Sequence, residues 1–275
     1  MKIDILTLFP KLLEGPLNES MAKQAKKRGR VQIQVHNLRD YGLDKRKTCD
    51  DKPFGGGAGM VMMIQPIFDC LKKIGPGGWR VLVSPRGETF KQSTAKRLAK
   101  KPHLIFICGH YEGIDERVHK HLVDEEISIG DFVATGGEFP ALCFVDAVIR
   151  LVPGVLGNRA SLESESFNRG ALDFPQYTRP RDFQGWKVPE VLFSGNHRTI
   201  ESWRSEQAHG VTKKFRPDLL RNKAVIASVR PAERRIRRHG WRKAKQSPRL
   251  LRPVHPSAVL AMTGEYKSKK ENQRR

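Results

Sequence analysis

Apolar and polar positions follow two rhythms along this chain. Lys2–Phe9, Trp79–Ser84 and Leu104–Cys108 are short, nearly unbroken apolar runs bounded by proline or glycine, which predicts buried strands. Val31–His36 alternates apolar and polar, as a half-buried strand does, and a further short strand is expected near Ile127–Ile129. Elsewhere the spacing lengthens to that of helices. One helix is expected over residues 16–28, with Pro16 near its start and Gly29 as its stop. Pro66 begins another that Gly75 ends, and Lys91–Lys100 reads as an exposed helix. Glu138–Leu151 is apolar on most faces and so predicts a buried helix. A last helix is expected from Arg198 to Gln207, with Asn196 as its N-cap, then short ones over 217–229 and 231–239.

Strands that alternate with helices argue for an α/β domain with a mainly parallel sheet, and the pattern alone favours a Rossmann-like wrap. Apolar residues thin out from Gly157 to Gly170, the mark of an interdomain linker. The expected division is therefore an α/β domain over 1–156, a mobile linker over 157–172, a helical domain over 173–240 and a basic tail over 241–275.

Charge sharpens that division. The formal net charge is +22, and residues 210–275 carry 20 Lys and Arg against 4 Asp and Glu. A polyanionic partner follows, nucleic acid first among them, although a solvated basic tail without a dedicated role has the same composition. Cysteines 49, 70, 108 and 143 form no C-x-x-C pair, which favours reduced, buried thiols over disulfides or zinc. Lys2 and Asp4 interrupt the apolar start, so no signal peptide is expected, and no uncharged run reaches the length of a membrane span. A soluble cytoplasmic protein with no membrane partner is the expectation.

The chemistry concentrates in residues 104–140. A buried strand runs into Gly109 and a dense group of Glu112, Asp115, Glu116 and Arg117, and a second glycine turn follows at Gly130, Gly136 and Gly137. One such turn is an ordinary strand end; two together point to a ligand approached closely by backbone. Neither is a phosphate cradle, since the chain has no G-x-x-x-x-G-K-[ST] and no G-x-G-x-x-G between strand and helix. The run GGGAG at 55–59 suggests another close backbone approach, or else a flexible surface loop.

CGHYEGIDER (108–117) followed by SIGDFVATGGEFP (128–140) resembles the bacterial tRNA (guanine-N1)-methyltransferases of the TrmD type, in the SPOUT superfamily. LFP (8–10), DDKPFGGGAGMVM (50–62), SPRG (84–87), RLVPGVLG (150–157), YTRP (177–180) and LFSGNH (192–197) continue the resemblance in order, to about residue 220. It implies a trefoil-knotted α/β domain with a small helical C-terminal domain, an arrangement no residue pattern predicts. It further implies an enzyme that moves a methyl group from S-adenosylmethionine (AdoMet) to N1 of the guanosine just 3′ of the tRNA anticodon, position 37.

By the same resemblance, AdoMet is held by Leu82, Val83, Ser84 and Pro85, by Gly109, Tyr111 and Glu112, and by Ile129, Gly130, Asp131, Phe132, Val133, Ala134, Gly136, Gly137 and Pro140. AdoMet carries no phosphate, so the missing phosphate loop is consistent. The base that takes the N1 proton aligns with Glu165, where the family has aspartate; Asp173 is the fallback. Arg150 is implied to meet the charge that grows on guanine O6. Read without the resemblance, Glu165 is a solvated linker charge and Arg150 a cation at a helix C-terminus. The candidate contacts to the tRNA anticodon stem–loop are Gly55, Gly56, Gly57, Gly59, Asn196, His197, Arg198, Lys213, Lys214 and Arg216. A homodimer is implied, with the C-terminal domain of one subunit closing over the site of the other. Magnesium is an open candidate, although no metal-ligand spacing appears. His110 and Ala58 depart from the arginine and proline usual in the family. An RNA-binding protein of this fold without catalysis and a knotted rRNA methyltransferase stand as alternative readings.

Overall fold

Strands that are apolar on both sides need cover on both sides. The structure, a computed structural model that describes residues 1–156 and 165–221, provides it. In chain order the strands are β1 (Lys2–Thr7), β2 (Gln32–Asn37), β3 (Asp50–Asp51), β4 (Val61–Met62), β5 (Trp79–Thr89), β6 (His103–Cys108), β7 (Glu125–Ser128), β8 (Asp182–Phe183) and β9 (Trp186–Lys187). The helices are α1 (Lys11–Leu17), α2 (Ser20–Lys27), α3 (Ile64–Ile74), α4 (Gln92–Leu98), α5 (Glu116–His121), α6 (Glu138–Ile149) and α7 (His197–Phe215).

Five strands form the main sheet in the order β2-β1-β6-β5-β7, and every neighbouring pair is parallel. Alternate residues of each strand enter opposite cores. Ile3, Ile5, Leu104 and Phe106 pack with residues of α1, α2, α4 and α6, and Leu6, Ile105 and Ile107 pack with α3 and α5. The mainly parallel α/β sheet is as expected; the Rossmann-like wrap is not. In the Rossmann order the third parallel strand, β5, would lie beyond β2, whereas here it lies between β6 and β7.

Three local expectations need correction. The helix expected over 16–28 is two: α1 holds Pro16 in its interior, and the chain breaks at Asn18 and Glu19, where Glu19 is extended. Strand β5 does not stop at Pro85. It runs to Thr89, and its pairing with β7 shifts between Val83 and Glu88, so the proline sits in a bulge where its missing N–H breaks no ladder. The polar run after Gly109 is only partly a turn, because its second half opens α5 with the Asp115 side chain accepting from the Arg117 N–H.

Helix α7 starts where expected, with Asn196 Oδ1 accepting from the Arg198 and Thr199 amides, and extends to Phe215. Of the helix expected over 217–229, a 3₁₀ turn at Pro217–Arg221 is seen. The rest of it, the 231–239 helix and the 241–275 tail lie outside the described residues. All four cysteines are free, three of them buried. Among the described residues no helix is long and apolar enough to cross a membrane.

One charged group is buried in the sheet itself. Asp4 on β1 is fully buried, with His36 and His103 Nε2 at 2.7 and 2.6 Å and Lys2 Nζ at 3.1 Å. Burial opposes its ionisation, but the hydrogen bonds from His36, His103 and Lys2 overcome that and lower the carboxyl to about 2.

Candidate functional site

At the carboxyl ends of β5, β6 and β7 the sheet opens into loops, the usual place for a ligand in an open parallel sheet. Three loops are laced together there. Gly137 N–H donates to Gly109 O at 2.8 Å, and His110 bridges Gly136. Met62 N–H donates to Gly113 O at 2.9 Å, and Asp115 N–H to Met62 O at 3.0 Å. Glycine is required at two of these crossings. A Cβ on Gly137 would stand 2.9 Å from Cys108 Cα and 3.0 Å from Gly109 N, and Gly59, at φ +82°, carries the Glu112 side chain directly over it.

The loops enclose a cavity of about 410 Å³. Every residue expected to hold AdoMet lines it except Gly130 and Asp131, which form the bend that carries Phe132 into the wall. Leu82, Ile129, Phe132, Val133 and Pro140 give apolar surface, and the glycine turns give backbone. Arg86 and Glu116 bring charge to the lining, with His119 beside them. Arg86 donates to Glu116 at 2.6 Å, which lowers the Glu116 carboxyl, and His119 Nδ1 lies 2.9 Å from Glu126. The wall also holds Tyr111 at φ +60°, a strained conformation for a bulky side chain, and exposes Val133 at 88%. Beneath the wall, burial and the nearby Glu138 push the Cys108 thiol well above its ordinary value, so it is no nucleophile.

A second constellation lies elsewhere. Arg150, at the C-cap of α6, donates to both oxygens of Glu165 at 2.8 and 2.7 Å. The two are partly buried and form a forked, charge-assisted pair. Neither lines the cavity. α6 begins at the cavity with Glu138 and runs 12 residues, so about 18 Å of helix separates cavity from pair. Asp173 is engaged locally, its Oδ1 accepting from Phe174 N–H at 2.8 Å.

Residues 1–222 match the family described as tRNA (guanine-1)-methyltransferase TrmD. A tRNA (guanine-N(1)-)-methyltransferase of Bacillus subtilis is 53% identical over 234 residues, which cover 84% of this chain and 96% of that protein. The like-named proteins of Halalkalibacterium halodurans and Carboxydothermus hydrogenoformans are 52% and 54% identical, covering 82% and 80% of this chain and 93% and 88% of their own. The chain belongs to this family. Its mixed α/β domain and mostly parallel sheet are those of the SPOUT trefoil fold, with a small helical C-terminal region.

The remaining family-derived candidates fall into separate groups. Gly55, Gly56 and Gly57 are exposed on the loop whose end, Gly59, abuts Glu112. Asn196 uses its side-chain oxygen as the α7 cap, beside exposed His197 and Arg198. Lys213, Lys214 and Arg216 lie at the other end of α7, about 24 Å away. Arg216 there pairs with Asp218 at 2.7 Å. Sequence reasoning missed Arg86 and His119 in the cavity wall and the β8–β9 hairpin. Asp115 and Arg117, expected in the acid–base cluster, instead cap α5 and pair with each other at 2.6 Å. Among the described residues no three His, Cys, Asp or Glu side chains converge on a metal position.

Proposed function

We propose that this chain transfers a methyl group from AdoMet to N1 of the guanosine just 3′ of the tRNA anticodon. The observation that carries the reading is the Arg150–Glu165 pair. It sets a fixed donor beside a fixed acceptor, the complement of guanine's Watson–Crick edge. A guanine that enters between them presents N1–H to the carboxylate and O6 to the guanidinium. Glu165 then takes the N1 proton, and Arg150 meets the negative charge that develops on O6. Its pairing with Arg150 favours Glu165 over Asp173 as the base.

The cavity fits AdoMet in size, at the lower end of the range of about 300–1,000 Å³ for small-molecule sites. When bound, AdoMet supplies an electrophilic methyl on a sulfonium. The residues that would hold it are the glycine turns at 109 and 136–137, the apolar wall from Ile129 to Pro140, and the charged lining at Arg86 and Glu116. Wall and pair lie at opposite ends of α6, so one chain does not bring them together. We infer a homodimer whose site joins the cavity of one subunit to the Arg150–Glu165 pair and helical region of the other. In this reading residues 173–240 grip the anticodon stem–loop and the protein works in the cytoplasm.

The test is transfer of labelled methyl from AdoMet to tRNAs that differ only at the base after the anticodon. Label must follow guanosine at that position and appear as 1-methylguanosine. Label in rRNA alone, or tight RNA binding with no transfer, would overturn the reading.

A further inference from the structure

Residues 176–187 are exposed without a break, yet they hold an ordered element. Strands β8 and β9 pair Phe183 with Trp186 and Asp182 with Lys187 across the turn Gln184–Gly185. Both turn residues have positive φ, +54° and +86°, the signature of a tight type I′ hairpin, and Gly185 N–H donates to Asp182 Oδ1 at 2.8 Å. Directly paired residues of a ribbon share a face, so Phe183 and Trp186 stand side by side with ring centroids 5.9 Å apart. They are 53% and 73% exposed. Two residues before Phe183, Arg181 shares that face, its guanidinium 3.9 Å above the Phe193 ring.

Two large rings held in water on this ribbon forgo the burial that apolar side chains ordinarily gain. What would cover them is indicated by charge. The stretch holds Arg179, Arg181 and Lys187 against one acid, Asp182, which is engaged in the turn. Among the described residues none of these three cations is in an ion pair. Aromatic faces and a guanidinium plane flanked by unpaired cations are the chemistry that stacks unpaired nucleobases and holds the phosphates beside them.

We propose that the Arg181–Phe183–Trp186 face of the hairpin is a stacking platform for an unpaired base of the RNA substrate. This rests on the reading of the chain as acting on tRNA, but its test does not depend on methyl transfer. Binding of the full chain to an RNA stem–loop with an unpaired loop, and to a fully paired RNA duplex of equal length, is followed by quenching of tryptophan fluorescence or by calorimetry. Trp186→Ala should weaken stem–loop binding about tenfold or more, the effect of one lost base stack, and leave the duplex unchanged. Trp186→Phe should retain most of the affinity. AdoMet binding and the sedimentation of the protein should not move.

Equal stem–loop affinity in Trp186→Ala and the unaltered protein would overturn the proposal. So would a change of oligomeric state in Trp186→Ala, because the face would then be covered by protein. Loss of stem–loop binding in the variant, together with no methyl transfer by the unaltered protein, would leave the platform standing and remove the proposed reaction instead.

Discussion

At its first turn α6 buries Glu138 under the glycine loops, with Thr7 Oγ1 donating to its carboxylate at 2.6 Å; after its last turn it holds Arg150 at the protein surface, clasped to Glu165. The first end is a mostly apolar cavity crossed by backbone. The second is charged, forked and accessible. A methyl donor suits the former, where apolar side chains and glycine backbone form the wall; a proton acceptor for a nucleobase suits the latter, where the base can enter. One helix separates the two ends, and that separation is what the proposed homodimer, with each copy supplying one half, would bridge.

The largest effect expected from breaking this comparison is at the charged end. Glu165→Gln should reduce turnover by about 10²–10⁴-fold, the usual worth of a general base, while calorimetric AdoMet affinity stays within about twofold. Mixed in equal amounts with a cavity-defective chain, it should recover about a quarter of full activity, since half the dimers then hold one intact composite site. No recovery would place both halves in one chain. At the cavity end, Gly137→Val forces a side chain against Cys108 Cα and Gly109 N and should abolish measurable AdoMet binding. Thermal melting should fall as well, while the Arg150–Glu165 end still takes part in complementation.

The smallest effect on activity is expected remote from both ends. Asp4→Asn should leave turnover per folded molecule unchanged and destabilise the fold by about 2–3 kcal/mol, read from denaturant midpoints at neutral pH. Because the Asp4 carboxyl is lowered from 3.8 to about 2, its contribution is full above the unfolded value and is lost as pH falls through about 2. The difference between the parent and Asp4→Asn should therefore shrink across that interval. A constant difference would remove the charge on Asp4 as its cause.

Strands β1, β2, β6 and β7 and helices α3, α4 and α6 were legible within a few residues, because burial is written in the period of each segment's own side chains. Helix α5 was not, because its capping residues Asp115 and Arg117 are the same residue types that serve catalysis. The β8–β9 hairpin was not, because Gln184–Gly185 is a weak turn signal and the strands have two residues each. Most of the cavity wall was reached only through family resemblance. Arg86 was missed because a bulge in β5 turns it toward Glu116, and a bulge depends on the neighbouring strand.

What the residues decide by themselves is therefore local: which segments are apolar on one face or two, where helices cap, and that positive charge gathers toward the C-terminal end. Strand order is another matter, since β6 lies between β1 and β5 only through crossovers whose partners are distant in sequence. So is the meeting of Arg150 with Glu165, side chains 15 residues apart that pair only in the folded chain. Contacts of that kind depend on how the whole chain closes, and no single stretch carries their geometry.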